Sequence, residues 1–288
     1  MIKKVTVFQK SDKSDAFTMV LTDPTNVSNA TGFVIDKIEG LGPVDADVNM
    51  SEMVVDGDHY NSSRVGKRNI VLTLEFYSET GTGIEEVRQF SYKLFPKHKL
   101  IYVEIETDHR KCWTCGYVEK NEPNIFSENE GNEVSILCPD PKMYDSDDYN
   151  ETILTAGSEA SIDYTGDVEV GGYLEIEIGS NIVAPPSAEV PAFTISCANP
   201  DGDAQLINIF TPVDGFEPGD VIKISSVSGS KKCIWTDTAD ADHIALNLLN
   251  QNPDWITIKP GINNIRLTDP NSAISSATFS NRICFEGV

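Results

Sequence analysis

Residues 69–76, Asn-Ile-Val-Leu-Thr-Leu-Glu-Phe, form the cleanest alternation of apolar and polar positions in the chain. They predict a half-buried strand with Ile70, Leu72, Leu74 and Phe76 on one face. Weaker forms of the pattern predict strands at 3–8, 34–38, 99–106, 111–119 and 133–138. One stretch changes period. Ile84, Val87, Phe90 and Leu94 recur at helical spacing, Thr82 and Glu85 are placed as a capping box, and Pro96 ends the run. The second half predicts short strands at 173–178, 192–196, 205–210, 221–225, 232–235, 255–258, 264–267 and 274–279, at sandwich-like spacing. Gly and Pro punctuate them, as in Pro218-Gly219-Asp220 and Pro260-Gly261, and a helical turn or two is expected within 240–249.

Between the two halves stands Cys138-Pro139-Asp140-Pro141. Each proline fixes its own φ, biases the preceding residue toward extended backbone and cannot donate to a ladder, so sheet pairing is expected to stop there. The stretch is read as the hinge between domain 1–142 and domain 143–288, each of ordinary size. The polar segments 22–31 and 51–64 are expected to be loops or arms that order on assembly.

Charge narrows the function classes. The formal net charge is −23, and the first 145 residues carry 16 Lys and Arg against 24 Asp and Glu. No basic face for sequence-specific nucleic-acid binding and no polybasic lipid segment is visible, and no apolar run is long enough to span a membrane. The start of the chain reaches Gln9, Lys10, Ser11 and Asp12 before a signal-peptide apolar region develops, so export by that route is not expected. Six cysteines are too sparse for a disulfide-stapled domain and are expected as free thiols in strands.

Candidate chemistry is thin. His109, Cys112 and Cys115 have spacing that can hold zinc, but a fourth ligand is missing and Cys112 and Cys115 would face opposite sides of a strand. No GxSxG elbow, phosphate loop or EF-hand is present, and the acid clusters at 145–148 and 237–242 read as solvated turns. Trp113, Trp235 and Trp255 offer either strand packing or a sugar-stacking platform. No cofactor is expected, and elimination favours a binding or structural protein over an enzyme.

The order of the motifs then carries a resemblance. Ile38-Glu39-Gly40-Leu41-Gly42-Pro43, Gly66-Lys67-Arg68-Asn69-Ile70-Val71-Leu72, the helix ending Leu94-Phe95-Pro96, and Cys138-Pro139-Asp140-Pro141 follow one another over the first 145 residues. Phe216-Glu217-Pro218-Gly219-Asp220 and Trp255 with Pro260-Gly261-Ile262-Asn263 follow in the second half. The chain resembles the distal tail proteins of long, non-contractile-tailed bacteriophages, the siphophage tail-tip or baseplate hub components. The resemblance implies a mainly β protein, with an N-terminal split β-barrel-like domain bearing one α-helix and a C-terminal galectin-like β-sandwich. It gives Gly40, Leu41, Pro43, Arg68, Ile70, Leu72, Phe95, Pro96, Pro260, Gly261 and Asn263 structural roles.

The resemblance also implies a hexameric ring at the virion tail tip, assembled in the host bacterial cytoplasm. The ring joins the tail tube protein to the tail-tip hub or tail-associated protein, leaves a channel for DNA, and in relatives often carries receptor-binding proteins. Acidity suits such a channel, because a negative lumen offers few cations to replace phosphate counterions. The alternative reading is a carbohydrate-binding adhesion module recognising the host surface; a third, an envelope hydrolase, would need paired carboxylates that sequence cannot place.

Overall fold

A computed structural model describes residues 2–21, 32–53, 55–77, 83–125, 130–146, 149–183 and 190–288. The chain forms two compact units, Met1–Ser146 with Phe285–Val288, and Asp147–Cys284. Both are mainly β.

The first unit contains β1 (Ile2–Phe8), β2 (Phe17–Leu21), β3 (Phe33–Glu39), β4 (Ala46–Glu52), β5 (Asp58–Val65), β6 (Arg68–Phe76), α1 (Ile84–Leu94), β7 (Leu100–Thr107), β8 (Lys111–Asn124), β9 (Gly131–Cys138) and β10 (Met143–Asp145). Sheet order runs β8-β7-β1-β2-β3-β6-β9, and β8 pairs with β9 as well, so seven strands close into a barrel. Closure removes the sheet edges that an open sheet of this size would expose. Strand β8 manages it by being long: residues from Lys111 pair with β7, and residues from Tyr117 onward pair with β9. Gly116 lies where the two ladders meet, and a Cβ there would come within 2.4 Å of the Leu137 oxygen. The alternation predicted for 69–76 is observed, with Ile70, Leu72, Leu74 and Phe76 buried inside the barrel.

Helix α1 departs from expectation in two ways. Thr82, expected as its N-cap, lies outside the described residues, and the cap is Gly83, extended at φ −76° and ψ 148° with no side-chain cap bond. Glu85 and Glu86 in the first turn still complement the helix dipole. The buried stripe is Val87, Ser91 and Leu94, while Phe90 lies at the exposed margin. Phe90 still packs its ring on Phe17 and Phe33, at 5.1 and 5.7 Å between centroids. Ser91 takes the middle of the stripe because its hydroxyl donates to Arg88 O and accepts from Asn132 Nδ2. Beyond the helix, Phe95 is buried and Pro96 follows.

The second unit contains β11 (Asn150–Ile153), β12 (Glu159–Tyr164), β13 (Val170–Ile178), β14 (Phe193–Ala198), β15 (Ala204–Ile209), β16 (Val221–Ser225), β17 (Lys232–Thr236), β18 (Asp242–Ile244), β19 (Thr257–Ile258), β20 (Gly261–Thr268) and β21 (Ile274–Asn281). One sheet has the order β11-β21-β13-β16-β17-β18 with β19 beside β13, and the other is β12-β20-β14-β15. It is a β-sandwich. Inward residues of both sheets meet at Phe216, whose ring lies 6.0 Å from Phe193 and 5.8 Å from Trp235. The helical turn expected within 240–249 is a single 3-10 turn, Leu246–Leu248. Last comes β22 (Cys284–Phe285), which lies beside β10 at the margin of the barrel sheet.

Candidate assembly site: a bare β-ribbon and its buried root

Strands β4 and β5 form a two-stranded sheet that pairs with no other described strand. Every residue of both strands is exposed. Residues 51–64, expected as a loop or arm, are thus mostly a regular hairpin; 22–31 lie outside the described residues. The register pairs Ala46 with Val65, Val48 with Ser63 and Met50 with Tyr60, which gathers Ala46, Val48, Met50, Tyr60 and Val65 on one face. Asp47, Asn49, Ser51, His59, Ser62 and Arg64 occupy the other. The ribbon is amphipathic, with its apolar face uncovered.

Both legs of this ribbon spring from one buried arginine. The turn Gly40-Leu41-Gly42-Pro43 leads into β4, and Arg68 opens β6 directly after β5. Arg68 is 1% exposed, and its Nε donates to Pro141 O at 2.7 Å. Its Nη1 donates to Gly40 O and Gly42 O at 2.6 and 2.7 Å, and Nη2 donates to Glu286 O. Only the fixed fork of a guanidinium can reach four carbonyl oxygens at once, which a lysine cannot do. Burial pushes the Arg68 pKa down from its ordinary value, and the nearby charges, Asp140 among them, oppose that. Gly40 is required here, since its φ is +82° and a Cβ would sit 1.8 Å from the Asn69 oxygen. Val288 N donates to Leu41 O at 3.0 Å, and Gly287 passes so close that a Cβ would lie 2.7 Å from that oxygen.

Most of the motif residues of the first half therefore meet in space. Gly40, Leu41 and Arg68 form the root, with Pro43 exposed at its rim, and Ile70 and Leu72 continue the buried face of β6 below it. Cys138 pairs with Arg68 across the β6–β9 ladder. The Cys138-Pro139-Asp140-Pro141 stretch is held within the first unit, with Pro141 bound by Arg68 and Asp140 accepting from Lys142 N and the Tyr144 hydroxyl. The chain passes to the second unit only after Ser146, beyond this stretch. Phe95 and Pro96 lie apart from the root, at the end of α1.

A second buried charge holds that exit. Glu104, 5% exposed, accepts from Lys13 Nζ at 2.5 Å, Ser146 Oγ at 2.9 Å and Lys111 Nζ at 3.1 Å. Burial alone would raise its pKa, but these donors outweigh burial and hold the carboxylate below its ordinary range. In the second unit, the Pro260-Gly261 motif is a turn closed by Asn263. Asn263 is fully buried, accepts from Lys259 N, and donates to Lys259 O and Gly261 O.

The remaining candidates stay separate. His109 is exposed on the turn before β8, Cys112 is buried against Met143, and Cys115 is half-buried on the same strand. Among the described residues no three His, Cys, Asp or Glu side chains are grouped to hold a metal. All six cysteines lie in strands, and burial raises the Cys112 and Cys138 thiols to about 11. Trp113 stacks on Tyr144 in the first unit, Trp235 packs edge-on against Phe216, and Trp255, expected in a strand, precedes β19 with Lys231 over its ring. Asp237 is a loop-former, accepting from Ala239 N and Ala241 N and pairing with His243.

Sequence reasoning did not single out the ribbon or the arginine's burial. The signal for Arg68 was present: it stands two residues before Ile70, in phase with the inward face. The ribbon carried a weaker one: Ala46, Val48 and Met50 alternate along β4, but β5 is largely polar and a bulge leaves Asn61 without a partner across the ladder.

No family model matches the sequence, and no curated protein sequence matches it. The chain is similar in fold to the crystal structure of the SPP1 Dit (gp 19.1) protein, described as a paradigm of the hub adsorption apparatus in phages infecting Gram-positive hosts. The TM-score is 0.64 at 13% identity, covering 88% of this chain and 93% of that one. A weaker likeness, TM-score 0.46 at 12% identity, covers all of this chain and of a chain in the phage P2 baseplate in its activated conformation with Ca. No described helix is long and apolar enough to cross a membrane.

Proposed function

We propose that this chain is a structural component of a phage tail tip, a distal tail hub whose copies close into a ring. The observation that carries the reading is the shared fold with the SPP1 Dit protein over both units. The site geometry supports it. A ring subunit works through interfaces, and an amphipathic ribbon stands uncovered, paired with no other described strand.

A ring requires a heterologous contact repeated about an axis, so each copy must present two different patches. The ribbon is one of them. The ring is hexameric, joins the tail tube protein to the tail-tip hub or tail-associated protein, and supports receptor-binding proteins. Its acidic balance of −23 lets DNA pass through the bore without adhering. The subunit is non-catalytic, and Cys138 to Pro141 serves to stiffen the way out of the barrel.

Light scattering with negative-stain imaging of one purified fraction tests the reading. A mass six times 31.6 kDa with open rings is expected. A protein that stays monomeric alone and also fails to join purified tail tubes would overturn it. A Lys- or Arg-lined bore would overturn the DNA-passage element alone.

A further inference from the structure

Building on the ring reading, we infer that the β4–β5 ribbon docks on a second copy of this chain, against the exposed end of α1 and the cationic turn that follows it. The two surfaces are complementary in both chemistry and charge. The ribbon presents Val48, Met50 and Tyr60 at 44, 55 and 56% exposure, and its tip carries Glu52, Asp56 and Asp58. The receiving segment presents Tyr92 at 44% exposure and then Lys93, Lys97, His98 and Lys99, all exposed.

Neither surface satisfies the other within one chain. The ribbon is exposed on both strands along its length, and it pairs with no other described strand. Among the described residues, the side chains of Glu52, Asp56, Asp58, Lys93, Lys97 and Lys99 make no ion pair. A free two-stranded ribbon is marginal in water, so its apolar face needs a cover. In a chain of net charge −23, most surfaces repel an acidic tip, and the 93–99 segment is a dense exception. The patches are different from one another, so the contact is heterologous and passes from copy to copy around an axis.

Charge reversal with complementation tests this. One variant carries Glu52→Lys, Asp56→Lys and Asp58→Lys; the other carries Lys93→Glu, Lys97→Glu and Lys99→Glu. Sedimentation of the full chain, with circular dichroism to verify each fold, is the readout. Each variant alone is expected to associate about tenfold or more weakly than wild type, because like charges now face each other. The equimolar mixture is expected to regain association, since each reversed ribbon meets a reversed turn. Met50→Ser, which leaves the charges alone, is expected to weaken wild-type association as well. Variants that associate like wild type would overturn this docking site while leaving the ring standing on another surface. A mixture no better than its components overturns the pairing of these two patches. A wild type that stays monomeric at every concentration and also forms no rings on purified tail tubes overturns docking between copies and, with it, the ring.

Discussion

Arg68 and Met50 belong to the same hairpin excursion of the chain and live under opposite conditions. At 1% exposure, the arginine is enclosed by four carbonyl oxygens from three separate segments. The methionine, at 55% exposure, touches solvent on a ribbon with no neighbouring strand. The difference shows how a fold divides its labour. Buried polar groups are costly unless every partner is in place, so the root admits one arrangement. The ribbon pairs with no other described strand and leaves its apolar face exposed. A stiff root under a bare ribbon is what an assembly arm requires, because ordering the arm in advance lowers the entropy cost of docking it.

The strongest way to break the comparison is Arg68→Ala. It leaves four carbonyl oxygens without their donor inside the protein, and a loss of roughly 3–5 kcal/mol is expected. Thermal unfolding checks it, and Arg68→Lys should recover only part, since an ammonium cannot span the same acceptors. A melting curve of Arg68→Ala superimposable on wild type would show that the root is not a keystone.

Gly40→Ala attacks the same root through the backbone. Its positive φ and the close Asn69 oxygen predict a loss of about 2–3 kcal/mol, read by denaturant midpoint at unchanged slope.

A smaller effect, about 1–2 kcal/mol, is expected for Glu104→Gln, which weakens the hold on Lys13, Lys111 and Ser146. Its pH signature distinguishes it. The folded-state pKa of Glu104 is depressed, so its contribution is fully present above the unfolded carboxylate value of about 4.3. It is lost as pH falls through the lower folded value, and the variant should lose less stability than wild type between neutral and acid pH. An equal acid sensitivity in both proteins would count against this assignment.

The smallest effect is expected on the ribbon. Met50→Ser and Tyr60→Ser should change monomer stability by no more than about 0.5 kcal/mol, because both side chains are already in water. A large drop in melting temperature for either would mean that the ribbon packs on its own chain.

Much of the local structure was legible in the chain. Period-2 alternation located β6 and its inward face, period-3.6 spacing located α1, and Pro96 marked where the helix stops. Those signals are local, arising from side-chain geometry within one element. Strands β10, β11, β18 and β22 span four residues or fewer and went unread, as did β2; β12 and β4 do alternate but went unread beside polar turns, and β5 is polar and broken by a bulge at Asn61. The motif residues were legible as a set, yet their meeting place was not. Gly40, Arg68 and Pro141 each looked like isolated turn or strand markers.

By itself the sequence determined a two-part, mainly β chain with one helix and an acidic surface, because patterning and composition act through neighbours along the chain. Tertiary structure alone decided that β8 closes the barrel on β9, that Phe285–Val288 return to the first unit, and that one arginine joins them to the ribbon's base. The physical reason is distance in sequence. Arg68 and Glu286 are separated by 218 positions, and the need to satisfy a buried guanidinium arises only once packing has removed it from water.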